Sequence, residues 1–344
     1  MKIGNRLICE GEKAFIIVEI GQAHEGSLGF AHSFIDAVAD SGADAIKFQT
    51  HIANAESTLD ESFRIKMSGQ DATRWNYWKR MEFSEEEWAG LARHASKRDL
   101  VFLSSPFSVA AVDLLAKIGM PAWKVGSGEV FNDQLIASIS SKGGPILMST
   151  GLSSYKEIEA GVKIVKKFKL ELSLFQCTSM YPTPLEKIGI NVLHELKQKF
   201  RCPVGLSDHS GSIYPSVFAL AQGAEMIEVH GTFDKKMYGP DVSSSLTFAE
   251  INQIVKTNIA FDKIRKNPVN KDLIAKELEQ TRNIFTKSLA LNIDLEAGSK
   301  LSIENLTVKK PGTGIHPENL PKLIGRKLSK TVSSNRLLKW DDIE

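Results

Sequence analysis

Pro203-Val-Gly-Leu-Ser-Asp-His-Ser-Gly211 and, about twenty residues later, Ala224-Glu-Met-Ile-Glu-Val-His-Gly231 are short apolar runs of strand-forming residues that break off into polar ones. Each delivers a histidine at the break, His209 and His230. Two imidazoles at neighbouring strand ends can share one metal ion. A single histidine more often satisfies local hydrogen bonds, so the pair gains meaning only from the rest of the chain.

Outward from this pair the same unit recurs: a β-branched run, a polar or glycine-rich turn, then an amphipathic helix. Phe15-Ile-Ile-Val-Glu-Ile20 leads to a helix over 28–41. Asp44-Ala-Ile-Lys-Phe-Gln-Thr50 leads through a long polar excursion to a helix opened by Ser84-Glu-Glu-Glu87, a capping box. Leu100-Val-Phe-Leu-Ser-Ser105, a helix over 109–118 and Pro121-Ala-Trp-Lys-Val125 follow. Pro145-Ile-Leu-Met-Ser149 carries a helix over 154–168, and Leu172-Ser-Leu-Phe-Gln-Cys-Thr178 one over 185–199. The opening pair supplies the seventh and eighth strands, with helical patterns over 214–222 and 248–264. Eight strand-helix units in about 250 residues predict an α/β fold, a (β/α)8 TIM barrel; a doubly wound parallel sheet is the alternative.

A barrel brings the C-terminal ends of its strands to one mouth, so its test is whether reactive residues collect at those ends. They do at all eight. Strand one ends with Glu19, and strand two carries Lys47 and Gln49, two apart and so on one face. Strand three ends in Ser104 and Ser105; strand four gives Lys124, then Ser127 and Glu129 in a Gly-Ser-Gly-Glu turn. Strand five supplies Ser149 and Thr150, and strand six Thr178, Ser179 and Tyr181. Strands seven and eight give Ser207, Asp208 and His209, then Glu228 and His230.

Composition sets the remaining bounds. The 344 residues fit one large domain with an appendage, and 42% hydrophobic against 24% charged residues supply a core without any sign of disorder. A formal charge of +2 gives no basis for nucleic acid or an anionic membrane as partner. Cys9, Cys177 and Cys202 form no CxxC pair and no disulfide framework, which fits a reducing compartment. The first residues lack the apolar core of a secretory signal and no run reaches about 18 apolar residues, so a cytoplasmic protein is expected. The basic, proline-broken stretch Lys263-Ile-Arg-Lys-Asn-Pro-Val-Asn-Lys271 and the charged helical pattern after it read as a linker. The division is a barrel over 1–265, a linker over 266–284, and a small β-rich domain over 285–344 whose core is marginal on its own.

Two lysines and several hydroxyls around one mouth make an anion site, with phosphate the anion that fits best. Two other readings stay open at this point. Lys47 and Lys124 can pair with Glu19 and Glu129 as ordinary barrel-mouth ion pairs, or one lysine can act as a Schiff-base nucleophile if it is desolvated and unpaired. A divalent ion on only two histidines keeps positions open for water and substrate. Asp208 and Glu228 are candidates to orient those imidazoles or to reach the ion.

With these residues in view, the chain resembles the sialic acid (N-acetylneuraminate) synthase family from about residue 13 onward. The resemblance is carried by Glu19-Ile-Gly, Lys47-Phe-Gln-Thr, Ser105-Pro-Phe, Gly126-Ser-Gly-Glu, Ser149-Thr-Gly, Cys177-Thr-Ser-Met-Tyr-Pro, Leu206-Ser-Asp-His and Gly239-Pro-Asp, in that order. Val308-Lys-Lys-Pro-Gly-Thr-Gly-Ile315 resembles that family's C-terminal antifreeze-like (SAF) domain. The family condenses phosphoenolpyruvate with N-acetylmannosamine or a related amino sugar to a nonulosonic acid, with C–O cleavage and release of phosphate.

The resemblance implies a divalent ion on His209 and His230, usually manganese, with magnesium or cobalt as alternatives. It implies phosphoenolpyruvate on Lys47, Ser105, Lys124, Ser127, Ser149 and Ser207. It implies Glu19, Glu129 and Tyr181 as catalytic residues facing the sugar, with Glu19 managing protons, and Gln49, Ser179, Asp241 and Lys310 as sugar contacts. It further implies a domain-swapped homodimer in which the SAF domain covers the partner's barrel.

The chain departs from the family pattern on the acceptor side. Ala23-His-Glu-Gly26 stands for the usual Asn-His-Asn-Gly, and Met67-Ser-Gly-Gln70 lies near the usual Pro-Gly-Asn. Ser179 replaces a frequent asparagine, Val229-His-Gly-Thr232 replaces Lys-His-Phe-Thr, and Lys310 replaces an arginine, losing its bidentate fork. The acceptor alternatives are therefore a diacetamido-trideoxyhexose of the legionaminic or pseudaminic type and a 6-phosphate sugar. A catalytically silent sugar-binding relative is the reading from a different class.

Overall fold

The computed structural model describes residues 1–65 and 69–344. Met67 and Ser68, which stand near the expected Pro-Gly-Asn position, lie outside the described residues. The chain forms two compact units, Met1–Lys266 and Asn267–Glu344.

In the first unit eight parallel strands form the barrel: β1 Phe15–Gly21, β2 Ala45–Thr50, β3 Val101–Pro106, β4 Trp123–Val125, β5 Ile146–Ser149, β6 Leu172–Cys177, β7 Val204–Asp208 and β8 Met226–Thr232. Their order is β3-β2-β1-β8-β7-β6-β5-β4, and β3 and β4 lie side by side where the ring closes. β1 pairs with β8 in parallel register, His230 beside Glu19, which joins the last strand to the first. That pairing makes a barrel and not a doubly wound sheet.

Strand alternation sorts the side chains. Ile16, Val18, Ile20, Ile46 and Phe48 join the outer apolar layer, with Phe34, Ile35 and Val38 of the helix Leu28–Ser41 and Trp88 and Leu91 of the helix Glu85–Lys97. The intervening residues Phe15, Ile17, Ala45, Leu103, Ala122, Leu147, Phe175 and Met226 form a separate interior cluster, the barrel floor. An N-terminal hairpin, Lys2–Ile3 against Arg6–Leu7, adds Ile3 and Ile8 to it. Each fully buried Ile, Leu, Phe or Met side chain among them stabilises by roughly 1.5–3 kcal/mol. Gly205 holds the corresponding place on β7. A Cβ there would stand 2.8 Å from the Phe175 ring and 2.6 Å from the Met226 carbonyl oxygen, so only glycine leaves room.

Several local expectations need correction. The helix expected from Leu185 is a 3-10 turn, Leu185–Lys187, and the α-helix spans Asn191–Phe200. Gly189 between them, at φ +71°, breaks the regular backbone. A helix over Asp133–Ser141, capped by the Asn132 side chain, fills the gap that the sequence reading left between β4 and β5. The polar excursion after β2 contains the helix Arg74–Met81. No described helix is long and apolar enough to cross a membrane.

In the second unit the helices Lys271–Glu277 and Glu279–Phe285 precede an antiparallel pair, Ser288–Leu291 with Leu306–Lys309. Leu289, Leu291, Leu301, Ile315, Leu323, Leu328, Val332 and Leu338 form its core.

Candidate active site

One inward step above the floor, every strand turns polar or reactive. Ile17 is followed by Glu19, Ala45 by Lys47, Leu103 by Ser105, Ala122 by Lys124, Leu147 by Ser149, Phe175 by Cys177, Gly205 by Ser207 and Met226 by Glu228. The next step brings Gln49, Ser179, His209 and His230. These residues line a cavity of about 510 Å³ together with Ser127, Glu129, Tyr181 and Asp241. Of the residues singled out from the sequence, Ser104, Thr150, Thr178 and Asp208 do not line it: the three hydroxyls donate to the backbone carbonyls of Phe48, Phe175 and Lys187, and Asp208 accepts from Ser210. Lys310 belongs to the second unit, with its ammonium 5.2 Å from the Phe285 ring centroid.

The two lysines are buried and paired. Lys47 forms a salt bridge with Glu19, lies 3.9 Å from Glu228 Oε1 and donates to Ser105 Oγ at 3.4 Å. Lys124 donates to Ser149 Oγ at 2.7 Å and to Glu228 Oε1 at 3.0 Å, and Ser207 Oγ donates to the same carboxylate oxygen at 3.0 Å. Lys124 therefore pairs across the barrel with Glu228 and not with Glu129. The stagger of neighbouring strands decides this, and proximity in sequence does not. Burial pulls the Lys47 ammonium down to about 7, with Lys124 adding to the effect and Glu228 opposing it. Burial alone would push Glu228 up, but the two lysines outweigh it and hold the carboxyl well below the usual carboxylate range. Neither lysine is the unpaired amine that a Schiff-base nucleophile requires.

His209 and His230 stand with ring centroids 5.1 Å apart, and the Tyr181 ring lies 4.3 Å from the first and 6.0 Å from the second. Burial, reinforced by the neighbouring imidazole for His209 and by Lys47 for His230, depresses both to about 3, so both rings are neutral at pH 7. Asp208 accepts from the Ser210 backbone and hydroxyl, and Glu228 is bound by Lys124 and Ser207. Among the described residues neither carboxylate is hydrogen-bonded to an imidazole, so of the two roles read from the sequence the orienting one is not seen. Among the described residues no group of three or more His, Cys, Asp and Glu side chains is arranged to hold a metal.

Towards the rim, Ser127 Oγ accepts from Gly151 N at 3.2 Å, and Glu129 accepts from the Asn132 amide at 3.0 Å. Burial raises the Glu129 carboxyl above its ordinary range and raises the Tyr181 phenol too. Arg64 lies over the Tyr181 ring at 4.6 Å and donates to Asp241 Oδ1 at 2.6 Å.

The NeuB family matches residues 34–269 and the SAF domain residues 286–344. The chain belongs to the NeuB family. The N,N'-diacetyllegionaminic acid synthase of Campylobacter jejuni is 32% identical over 334 residues, covering 95% of this chain and 99% of the relative. The N-acetylneuraminate-9-phosphate synthase of Homo sapiens is 32% identical over 332 residues, 93% of this chain and 90% of the relative. A crystal structure of the sialic acid synthetase of Leptospira borgpetersenii superposes with a TM-score of 0.72 at 32% identity, covering 82% of this chain and 96% of that one. This NeuB-family chain is accordingly an enzyme of the sialic-acid-synthase type, a transferase with a TIM barrel and a SAF domain.

Sequence reasoning missed the part of the NeuB-family mouth built from the segments after β1, β2 and β3. Gln22, His51, Glu56, Glu61, Arg64, Arg74, Trp78 and Phe107 also line the cavity. His51 had a legible signal, since Lys47, Gln49 and His51 continue the two-residue alternation. The arginines and aromatics come from loops and a short helix, whose folding back no periodicity announces.

Proposed function

We propose that the enzyme condenses phosphoenolpyruvate with an N-acylated amino sugar, N-acetylmannosamine or a close analogue, to give a nonulosonic acid and phosphate. The observation that carries this reading is the arrangement of Lys47, Lys124, Ser105, Ser149 and Ser207 around two buried carboxylates at one level of the barrel. Two ammonium groups and directed hydroxyls suit a small, multiply charged phosphoenol acid. Glu19 and Glu228 hold the lysines in place until that anion arrives.

C3 of phosphoenolpyruvate bonds to the aldehyde carbon of the open-chain sugar, whose oxygen takes a proton. Water adds to C2 and gives up a proton, and the C2–O bond to phosphorus then breaks, leaving a ketone and phosphate. Glu19, hydrogen-bonded to Gln49 and paired with Lys47, is the residue for these proton movements. Glu129, Tyr181, Ser179, Gln49 and Asp241 face the sugar. Ser127 joins the phosphoenolpyruvate contacts, and Lys310 is the SAF-domain contact to the sugar.

Two neutral, buried imidazoles fit a divalent ion, and Glu228 Oε2, without a hydrogen-bond partner among the described residues, lies in the same lining. His209 and His230 would hold it, manganese first and magnesium or cobalt as alternatives. Bound there, such an ion supplies Lewis-acid polarisation of the acceptor's carbonyl oxygen. The enzyme is read as a cytoplasmic, domain-swapped homodimer, with a mass in solution of twice the 38.0 kDa chain.

The test is phosphate release from phosphoenolpyruvate, manganese and a panel of amino sugars, with and without chelator. The panel includes N-acetylmannosamine, its 6-phosphate and a diacetamido-trideoxyhexose. Chelator-sensitive release with at least one acceptor is expected. No release with any acceptor removes the synthase reading in favour of a silent sugar-binding relative, and release indifferent to chelator removes the metal.

A further inference from the structure

His51 is the least explained side chain of the mouth. Its ring is buried between two parallel aromatic faces, Trp78 at 3.8 Å and 17° and Phe107 at 4.5 Å and 13°. A flip about the Cβ–Cγ bond would sweep the ring out of its plane and through these neighbours, so the sandwich fixes which edge faces where. On one edge Nδ1 lies 2.5 Å from Glu56 Oε1. On the other, Nε2 lies 2.7 Å from the Gln22 amide nitrogen and 3.2 Å from Gln49 Oε1.

Glu56 is itself held. It closes the short helix Ala53–Glu56 that follows β2, and its other oxygen accepts from Ile52 N at 3.3 Å. The carboxylate can only accept, so the ring proton belongs on Nδ1. Nε2 is then an acceptor. It takes one hydrogen of the Gln22 amide, whose second hydrogen goes to Gln49 Oε1 at 2.5 Å. With its carbonyl end occupied, Gln49 has its amide end on Glu19 Oε1 at 3.0 Å, while Lys47 holds Oε2.

We propose that Glu56 and His51 are positioning residues: the carboxylate fixes the imidazole tautomer, and through Gln22 that tautomer fixes the orientation of Gln49 and with it the face of Glu19. The charged and titratable groups around the ring are Glu56, Glu61, Arg74 and the imidazole of His24. Burial is the largest of the effects and keeps His51 neutral despite Glu56. A doubly protonated ring would turn Nε2 into a donor, able to reach Gln49 Oε1 but not to accept from the Gln22 amide, so the link through Gln22 would be lost. The chain of contacts therefore needs the neutral form.

The kinetic part of this inference rests on the synthase reading above, whereas the tautomer does not. Full-length protein labelled with 15N-histidine gives two-bond 1H–15N correlations in which neutral Nδ1–H and Nε2–H tautomers are distinct. The chain has eight histidines, so loss of one pattern in His51→Gln assigns the signal. At pH 7 wild-type His51 is expected as the Nδ1–H tautomer, and Glu56→Ala is expected to move it to Nε2–H. A wild-type Nε2–H signal, or no change in Glu56→Ala, overturns the proposal.

In turnover with phosphoenolpyruvate and an acceptor, Glu56→Ala should lower kcat/KM for the acceptor about 10- to 100-fold, the scale of a misplaced catalytic group. The KM for phosphoenolpyruvate should stay within about two-fold, since all its contacts but Lys47 come from elements other than β1 and β2, and Lys47 keeps Ser105 and Glu19 as partners. Glu56→Gln, whose carbonyl still accepts from Nδ1–H, should recover most of the loss. Equal losses in the Ala and Gln variants contradict the positioning role. Should Glu56→Ala fail to fold, Gln22→Met cuts the next link and should give the same acceptor-side loss with the His51 tautomer unchanged. A wild type that turns over no acceptor removes the synthase reading, and the tautomer still decides the dyad.

Discussion

The floor and the mouth of this barrel are two levels of the same strands, and they differ by a single inward step. At the floor, Ile17, Ala45, Leu103, Leu147, Phe175 and Met226 meet the N-terminal Ile3 and Ile8 in an apolar plug. Two residues further on, the same strands present Glu19, Lys47, Ser105, Ser149, Cys177 and Glu228. The floor gains free energy by leaving water, whereas the mouth spends it by burying paired charges. The lesson is that one alternation carries both tasks: the lower position holds the ring together and the upper one handles substrate.

The largest effect is expected at the mouth. Glu19→Gln keeps the shape of the side chain and its neighbours but removes a group that can take and return a proton, and should lower kcat about 100- to 10,000-fold. Steady-state kinetics with both substrates checks this, and a loss confined to KM would contradict it. Next is Lys124→Met, which leaves Glu228 buried beside one lysine fewer and should cost about 3–5 kcal/mol of stability in denaturant titration. The double variant Lys124→Met/Glu228→Gln should recover most of that stability without recovering phosphoenolpyruvate binding. If both returned together, Lys124 would be a structural ion pair and not a substrate group.

At the floor the pattern should invert. Ile3→Ala should cost about 2–5 kcal/mol of stability and leave kcat within about two-fold at temperatures where the protein is folded. A large fall in kcat would mean that floor and mouth are not separable. The smallest effect belongs to the rim. Arg64 is partly exposed and pairs with Asp241, so Arg64→Ala should raise the acceptor KM about two- to five-fold and leave phosphoenolpyruvate untouched.

Floor and mouth were both legible because strand periodicity is exact in sequence: a residue two places beyond a buried apolar one faces the same way. Glu19, Lys47, Lys124, Glu228 and His230 follow from that rule alone. What periodicity does not encode is which upper residues meet across the ring. That depends on strand tilt, and it is why Lys124 stands beside Glu228 and not beside Glu129, the pairing that sequence proximity offered as an alternative. The loop-built wall was less legible still. His51 continues the β2 alternation, but Trp78 and Arg74 reach the mouth from a helix twenty-odd residues later, and Phe107 from the end of β3. The helix Asp133–Ser141 was missed although Asn132 is a good cap, because its apolar residues also suit a turn into the next strand.

The central claim is that this mouth breaks the C–O bond of phosphoenolpyruvate while joining its C3 to a sugar aldehyde. Phosphoenolpyruvate carrying 18O in the oxygen that bridges C2 and phosphorus tests it in one experiment, read by mass spectrometry of both products after turnover with manganese and the accepted amino sugar. The account predicts the label in the released phosphate and a solvent-derived ketone oxygen in the sugar acid. Label retained in the sugar acid, the outcome of P–O cleavage, would contradict it.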